Sequence, residues 1–271
     1  MLMDLLNSLR KSLLKSRRAE TMTINDLHRS KTGKVSDKWE SYLEYYDFLF
    51  GPQRNRPLTL LEIGVQNGGS LETWAEYFKA GRKFVGCDID PKCGLLEYQD
   101  PRISVVVGDV NDNRTLQTIR GVSADYDIVI DDGSHMSADI INAFVNCFPL
   151  LKPGGIYVIE DTHLLYHEAF GGVGNGSGAY ALFKKLVDIP SFQFWQQQLS
   201  INSYLAEFFP RDSTPSFILE GWIQSVEFRN SVITLRKALQ SGHDKLGARK
   251  VVGQIAQVQD WKNVSLTQKI V

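Results

Sequence analysis

The sequence has no apolar run long enough to cross a bilayer, so no membrane-spanning helix is predicted. Cysteine is scarce: Cys87, Cys93 and Cys147 are the only three, and no C-x-x-C pair occurs. That excludes a disulfide framework and points to a reducing, cytoplasmic setting, with the three thiols read as small buried hydrophobes. Neither sign of charge is in excess, since 30 basic residues meet 31 acidic ones for a net charge of −1. A broad nucleic-acid surface is therefore excluded, and no nucleic-acid partner is expected. Internal repeats and low-complexity tracts are also missing. The 271 residues, 43% of them hydrophobic, suffice for one full core with appendages.

The appendages lie at both ends. Residues 1–57 read as a helical extension and linker, 58–238 as the core with an insertion around 163–220, and 239–271 as a polar tail with a weak helical pattern over 248–258. Within 1–20, Leu2, Leu5, Leu6, Leu9, Leu13 and Leu14 recur at helical spacing among Arg10, Lys11, Lys15, Arg17 and Arg18. Basic residues interrupt this apolar stripe and no small-residue cleavage site follows, so it is not read as a signal peptide. It reads as a helix docking on its own domain or on a second subunit, with a peripheral helix on a membrane surface as the alternative. Self-association is compatible with this stretch and with the aromatic insertion. The aromatic run 39–50 reads as a helix packed on the core, and the alternative has Lys38 or Trp39 lining a cleft.

The core pattern is strand and helix in alternation, the mark of a doubly wound, Rossmann-like α/β fold with a mostly parallel sheet. Strands are predicted at 58–64, 83–87, 103–107, 126–131 and 155–159, with helices at 71–78, 114–119 and 137–151 between them. A terminal antiparallel hairpin, 222–228 with 232–235, turns at Arg229-Asn230-Ser231 and closes one edge of a seven-stranded sheet. A glycine-rich loop, 170–178, reads either as a gate or as a plain connection.

Two strands end in chemistry. Tyr126-Asp127-Ile128-Val129-Ile130 runs into Asp131-Asp132-Gly133-Ser134-His135, and Ile156-Tyr157-Val158-Ile159 runs into Glu160-Asp161-Thr162-His163. In an open parallel sheet such carboxyl ends share one crevice, where ligands bind. A single Asp after a strand usually caps the next helix. Two strand ends with matching acids, one of them followed by an imidazole, are harder to assign to capping.

The first strand contributes a second feature, since Glu62-Ile63-Gly64 leads through Val65-Gln66-Asn67-Gly68-Gly69-Ser70 into a helix. Backbone N–H groups face a ligand at such a turn, and its glycines permit close approach. The third glycine of the dinucleotide fingerprint G-x-G-x-x-G is absent, and Glu62 inside the turn disfavours a diphosphate. A ligand carrying positive charge or hydroxyls fits better, and Asp88, at the tip of the second strand, is placed to take ribose hydroxyls.

Together the 62–70 turn, the Asp88 tip, Gly108-Asp109 and the Lys152-Pro153-Gly154-Gly155 turn resemble the class I S-adenosylmethionine-dependent methyltransferases. The Asp131–His135 and Glu160-Asp161 motifs, with Ser36-Asp37-Lys38-Trp39, resemble more narrowly the metal-dependent sugar O-methyltransferases of macrocin and mycinamicin type. Cephalosporin-hydroxylase-like members share much of this pattern.

The resemblance implies S-adenosyl-L-methionine as cofactor, held by Glu62, Gly64, Asn67, Gly68, Ser70, Asp88, Asp109, Val110 and Asp131. It implies Mg²⁺ or a similar divalent cation on Asp132, Glu160 and Asp161, and His135 as general base, with Asp132 and Asp161 part of the catalytic set. The acceptor implied is a small molecule or glycan bearing a sugar hydroxyl. Two rivals stand beside this reading. A cofactor-binding scaffold of a polysaccharide or natural-product pathway has no use for a base beside a metal site. A nicotinamide oxidoreductase lacks here both the glycine fingerprint and a Tyr-x-x-x-Lys pair.

Overall fold

The computed structural model describes residues 22–172, 178–195 and 199–255. The basic amphipathic stretch 1–20, the centre of the glycine-rich loop and the end of the tail lie outside them. Strands β1 (Thr59–Ile63), β2 (Lys83–Asp88), β3 (Ile103–Val107), β4 (Tyr126–Asp131), β5 (Leu151–Ile159), β6 (Ile223–Arg229) and β7 (Val232–Lys237) form one sheet. Its order is β3-β2-β1-β4-β5-β7-β6, parallel through β5, with β7 antiparallel to both of its neighbours. The doubly wound sheet and its terminal hairpin are those expected from the strand pattern.

Both faces of the sheet are covered, so its central strands are apolar on both sides rather than alternating with polar residues. Val129, Tyr157 and Ile159 face one cluster, beneath α4 (Asn113–Val122), α5 (Ser137–Cys147) and α6 (Ala179–Leu186). Ile128, Ile130, Ile156 and Val158 face the other, beneath α1 (Ile24–Arg29), α2 (Glu40–Phe50) and α3 (Gly69–Tyr77). Fully burying one such side chain is worth about 1.5–3 kcal/mol, so the two layers dominate the stability of the sheet. All three cysteines are buried and free, and none of the described helices is long and apolar enough to cross a membrane.

Three expectations change in detail. The helix predicted over 137–151 ends at Cys147 and continues as a tight turn, Phe148–Leu150, because Pro149 cannot donate to a helical bond. The fifth strand starts earlier, at Leu151, and Lys152-Pro153-Gly154-Gly155 bulges from it as the register jumps from Tyr126↔Leu151 to Ile128↔Ile156. Residues 248–255 are not helical. The aromatic insertion packs as core, with Ile189, Ile201, Leu205 and Phe209 buried in the α5 and α6 layer.

Candidate active site

Strand register builds the site. Ile63 and Ile159 both pair with Asp131, so β1, β4 and β5 stop at one level, and the Asp132 amide donates to Ile63 O and the Glu160 amide to Asp131 O, each at 2.9 Å. Side chains alternate along a strand, so Asp131 and Asp132 leave toward opposite faces. Glu62, Asp132 and Glu160 share the phase of Leu60, Ile130 and Val158, toward the α2 layer. Asp131 shares the phase of Val129 and Ile159 and meets Tyr157, whose hydroxyl lies 3.4 Å from Asp131 Oδ2. Burial there pushes the Asp131 carboxyl up to about 7.

Opposite the three converging carboxylates stands Lys38, on the segment leading into α2. Its Nζ donates to Glu160 Oε1 and Oε2 at 3.0 and 2.9 Å and to Asp132 Oδ2, and lies 3.9 Å from Glu62 Oε1. Burial opposes the ammonium, but Glu160, Asp132 and Glu62 outweigh it and hold its pKa well above the ordinary lysine value. Glu160 shifts upward through burial and the neighbouring Asp132 charge, against the pull of Lys38 and of Tyr46, whose hydroxyl donates to Glu160 Oε1 at 2.6 Å.

Asp161 turns away from this buried knot. Its left-handed backbone (φ 52°), and that of His135 (φ 58°), bring the two side chains together, with His135 Nε2 at 3.8 Å from Asp161 Oδ2. Trp39 Nε1 and the Tyr42 hydroxyl donate to Asp161 Oδ1 at 3.1 and 2.8 Å, which leaves Oδ2 facing His135. Asp132, His135 and Asp161 each place one ligand atom within 4.8 Å of the other two. The two carboxylates offer hard oxygen donors that suit a divalent cation, so they fit the metal that the resemblance implies, with the His135 imidazole beside them. The capping alternative does not hold for Asp131 or Asp132: α5 has Met136 at its N-cap with no side-chain cap, and Ser134 instead bonds Asp139 at 2.7 Å.

A crevice of about 860 Å³ opens at the same edge, where the strand order reverses between β1 and β4. Gly64, Asn67, Ser70, Asp88, Asp109 and Val110 line it, as do Asp131, Asp132, His135, Glu160 and Asp161. The size suits a nucleoside-sized ligand. Gly64 has φ +89°, and a Cβ there would lie 2.0 Å from Asp132 O, so only glycine lets this turn press against the end of β4.

Other candidates brace this turn from behind. Glu62 is fully buried and accepts from Ser70 Oγ at 2.6 Å and Trp74 Nε1 at 3.1 Å. Gly68, at φ 77°, is the N-cap of α3 beneath Tyr98. Asp88 Oδ2 accepts the amides of Val65 and Gln66 at 2.7 and 2.9 Å, so the second strand's acid also shapes the glycine turn.

The aromatic segment does more than pack. Tyr45, Phe50 and their neighbours are core, but Tyr42 and Tyr46 carry hydroxyls to Asp161 and Glu160, and Lys38 and Trp39 line the crevice. Helical spacing alone does not reveal this. The available signal is the one lysine beside Trp39 ahead of a helix otherwise dense in tyrosine.

The fold and this crevice are of the kind found in class I S-adenosylmethionine-dependent methyltransferases, and residues 61–162 match the family described as Methyltransferase domain. Similar relatives include O-methyltransferases named for tetracenomycin, demethylmacrocin, mycinamicin and oleandolide compounds, and a ribosomal RNA large subunit methyltransferase E of Archaeoglobus fulgidus, 31% identical over 114 residues, covering 37% of this chain and 55% of that protein. The chain is 34% identical over 219 residues to the 8-demethyl-8-alpha-L-rhamnosyl tetracenomycin-C 2'-O-methyltransferase of Streptomyces olivaceus, covering 77% of this chain and 53% of that protein. It is 37% identical over 158 residues to the mycinamicin VI 2''-O-methyltransferase of Micromonospora griseorubida, covering 54% and 39%. Among solved structures it resembles the MycE methyltransferase of the mycinamycin biosynthetic pathway, in complex with Mg, SAH and mycinamycin VI. That match has a TM-score of 0.61 and 30% identity, covering 75% of this chain and 50% of that one. The chain spans about half the length of the curated relatives it matches.

Proposed function

We propose that the protein is an S-adenosylmethionine-dependent, divalent-metal-assisted O-methyltransferase acting on a sugar hydroxyl of a glycan or glycosylated metabolite. The observation that carries this reading is the convergence of Asp132, His135 and Asp161 on one point beside the glycine turn. The relatives named for sugar O-methylation, and MycE with Mg and SAH, support it.

The methyl donor supplies an electrophilic carbon and needs no covalent help from the protein, only an acceptor oxygen aligned behind that carbon. On this reading the turn from Gly64 through Asn67 and Gly68 receives the methionine part, with Asp131 beside its amino acid group. Glu62 and Ser70 hold the turn's shape, Asp88 takes ribose hydroxyls, and Asp109 with Val110 borders the adenine.

A sugar hydroxyl is a poor nucleophile at neutral pH. A divalent cation on Asp132 and Asp161, with Glu160 as third carboxylate, would lower the pKa of neighbouring acceptor hydroxyls. His135 then takes the proton as the oxygen attacks. Its position on the strand-end turn, partly exposed toward the crevice, suits a base that must meet both substrate and solvent.

The test is transfer of labelled methyl from S-adenosylmethionine to a panel of glycosides, with Mg²⁺ or with EDTA. Transfer that needs Mg²⁺ is expected. Transfer unaffected by EDTA removes the metal from the mechanism, and no transfer to any glycoside removes the sugar acceptor.

A further inference from the structure

A charge that this chemistry does not use sits at the centre of the site. The Lys38 side chain is 5% exposed, with its ammonium on both oxygens of Glu160, on Asp132 Oδ2, and within 3.9 Å of Glu62. Asp132 is therefore claimed twice, by Lys38 and by the metal group it forms with His135 and Asp161. Glu160 is claimed wholly by Lys38 and Tyr46, although it stands next to Asp161 in the chain. An ammonium and a hard divalent cation seek the same carboxylate oxygens. Where both are within reach, binding one weakens the hold of the other.

We propose that Lys38 is a resident counter-cation that competes with the divalent metal for Asp132 and Glu160, so that Glu160 joins the metal only as Lys38 lets go. This rests on the metal-assisted reading above. Lys38 is placed to yield. It sits outside the sheet, on the irregular residues between α1 and α2, so it can shift without breaking a strand. Its neighbours Ser36, Asp37 and Trp39 line the same crevice, so metal entry also adjusts the crevice wall.

A purely structural lysine makes the opposite prediction. Neutralising it would loosen the carboxylates and weaken metal binding or leave it unchanged. The test measures free Mn²⁺ by electron paramagnetic resonance in titrations of the full chain, comparing wild type, Lys38→Met and Lys38→Met/Glu160→Gln. Lys38→Met is expected to bind Mn²⁺ at least about tenfold more tightly, since one opposing charge near 4 Å has gone, and the added Glu160→Gln should reverse the gain.

Retained S-adenosylhomocysteine binding shows that the variants are folded. Equal or weaker Mn²⁺ binding by a folded Lys38→Met overturns the proposal. If that variant does not fold, a wild-type crystal soaked in Mn²⁺ decides: the Lys38–Glu160 contacts should open beyond hydrogen-bond range, and their persistence beside bound metal overturns the proposal. Absence of Mn²⁺ binding by all three proteins overturns it together with the metal site. Methyl transfer in EDTA separates that failure from failure of the transferase reading.

Discussion

At the residue scale, the site depends on which face each carboxylate takes. Asp131 and Asp132 are adjacent and chemically identical, yet one meets Tyr157 in an apolar layer and the other meets Lys38 at the crevice. Their roles diverge through alternation alone. His135 differs from both, because its left-handed backbone returns the ring to the strand-end level beside Asp161. Replacing His135 with Ala is expected to lower kcat about 10²- to 10⁴-fold while S-adenosylhomocysteine affinity stays unchanged. Isothermal titration with S-adenosylhomocysteine and with Mn²⁺ alongside kinetics checks this. A loss of Mn²⁺ affinity in that variant would make the imidazole a metal ligand instead of a base.

At the element scale, the irregular segment between α1 and α2 lies across the glycine turn and holds one wall of the crevice. Glu72, on α3, clamps it by accepting from Lys31 Nζ at 2.7 Å and the Lys34 amide at 2.9 Å. The Gly69 amide donates to Val35 O at 3.1 Å, which ties the start of α3 to the same segment. The Lys31–Glu72 ion pair is partly exposed, so it is worth about 1 kcal/mol or less. Glu72→Ala should therefore leave the global fold intact but raise hydrogen exchange across residues 31–39 and weaken S-adenosylhomocysteine binding several-fold. Unchanged exchange in that segment would show that the Gly69 amide bond to Val35 O holds it without Glu72. The α2 helix has a matching double role, with its apolar edge closing the sheet while Tyr42 and Tyr46 support Asp161 and Glu160.

At the scale of the whole molecule, the crevice and the Asp132, His135 and Asp161 group share the carboxyl edge of one sheet, so on the proposed reading both ligands would bind the folded state and not the unfolded chain. Each should raise the melting temperature, since a ligand at a hundred times its dissociation constant adds about 2.7 kcal/mol to stability. Thermal melts with S-adenosylhomocysteine, with Mg²⁺ and with both are expected to show shifts of several degrees, and no shift with Mg²⁺ would argue against a preformed metal site.

Much of this architecture was legible in the chain. Apolar runs alternating with helical stretches announced a doubly wound, mostly parallel sheet, and the hairpin followed from its turn at Arg229-Asn230-Ser231. The acids and imidazole at the strand ends were legible as well, because matching acids at two strand ends, one followed by an imidazole, are harder to assign to helix capping than a single acid. What local pattern leaves open is pairing across long separations. Lys38 meets Glu160 across 122 residues and Tyr42 meets Ser231 across 189, and nothing within either segment signals the partner. The sequence by itself therefore determined the sheet, the crevice edge and the candidate donors, since these follow from periodicity and turn chemistry within a few residues. Only the tertiary structure decided that a lysine from outside the sheet neutralises the buried carboxylates and leaves Asp132, His135 and Asp161 to face the crevice. That outcome depends on strand register and on how α2 packs, both set by contacts distant in the chain.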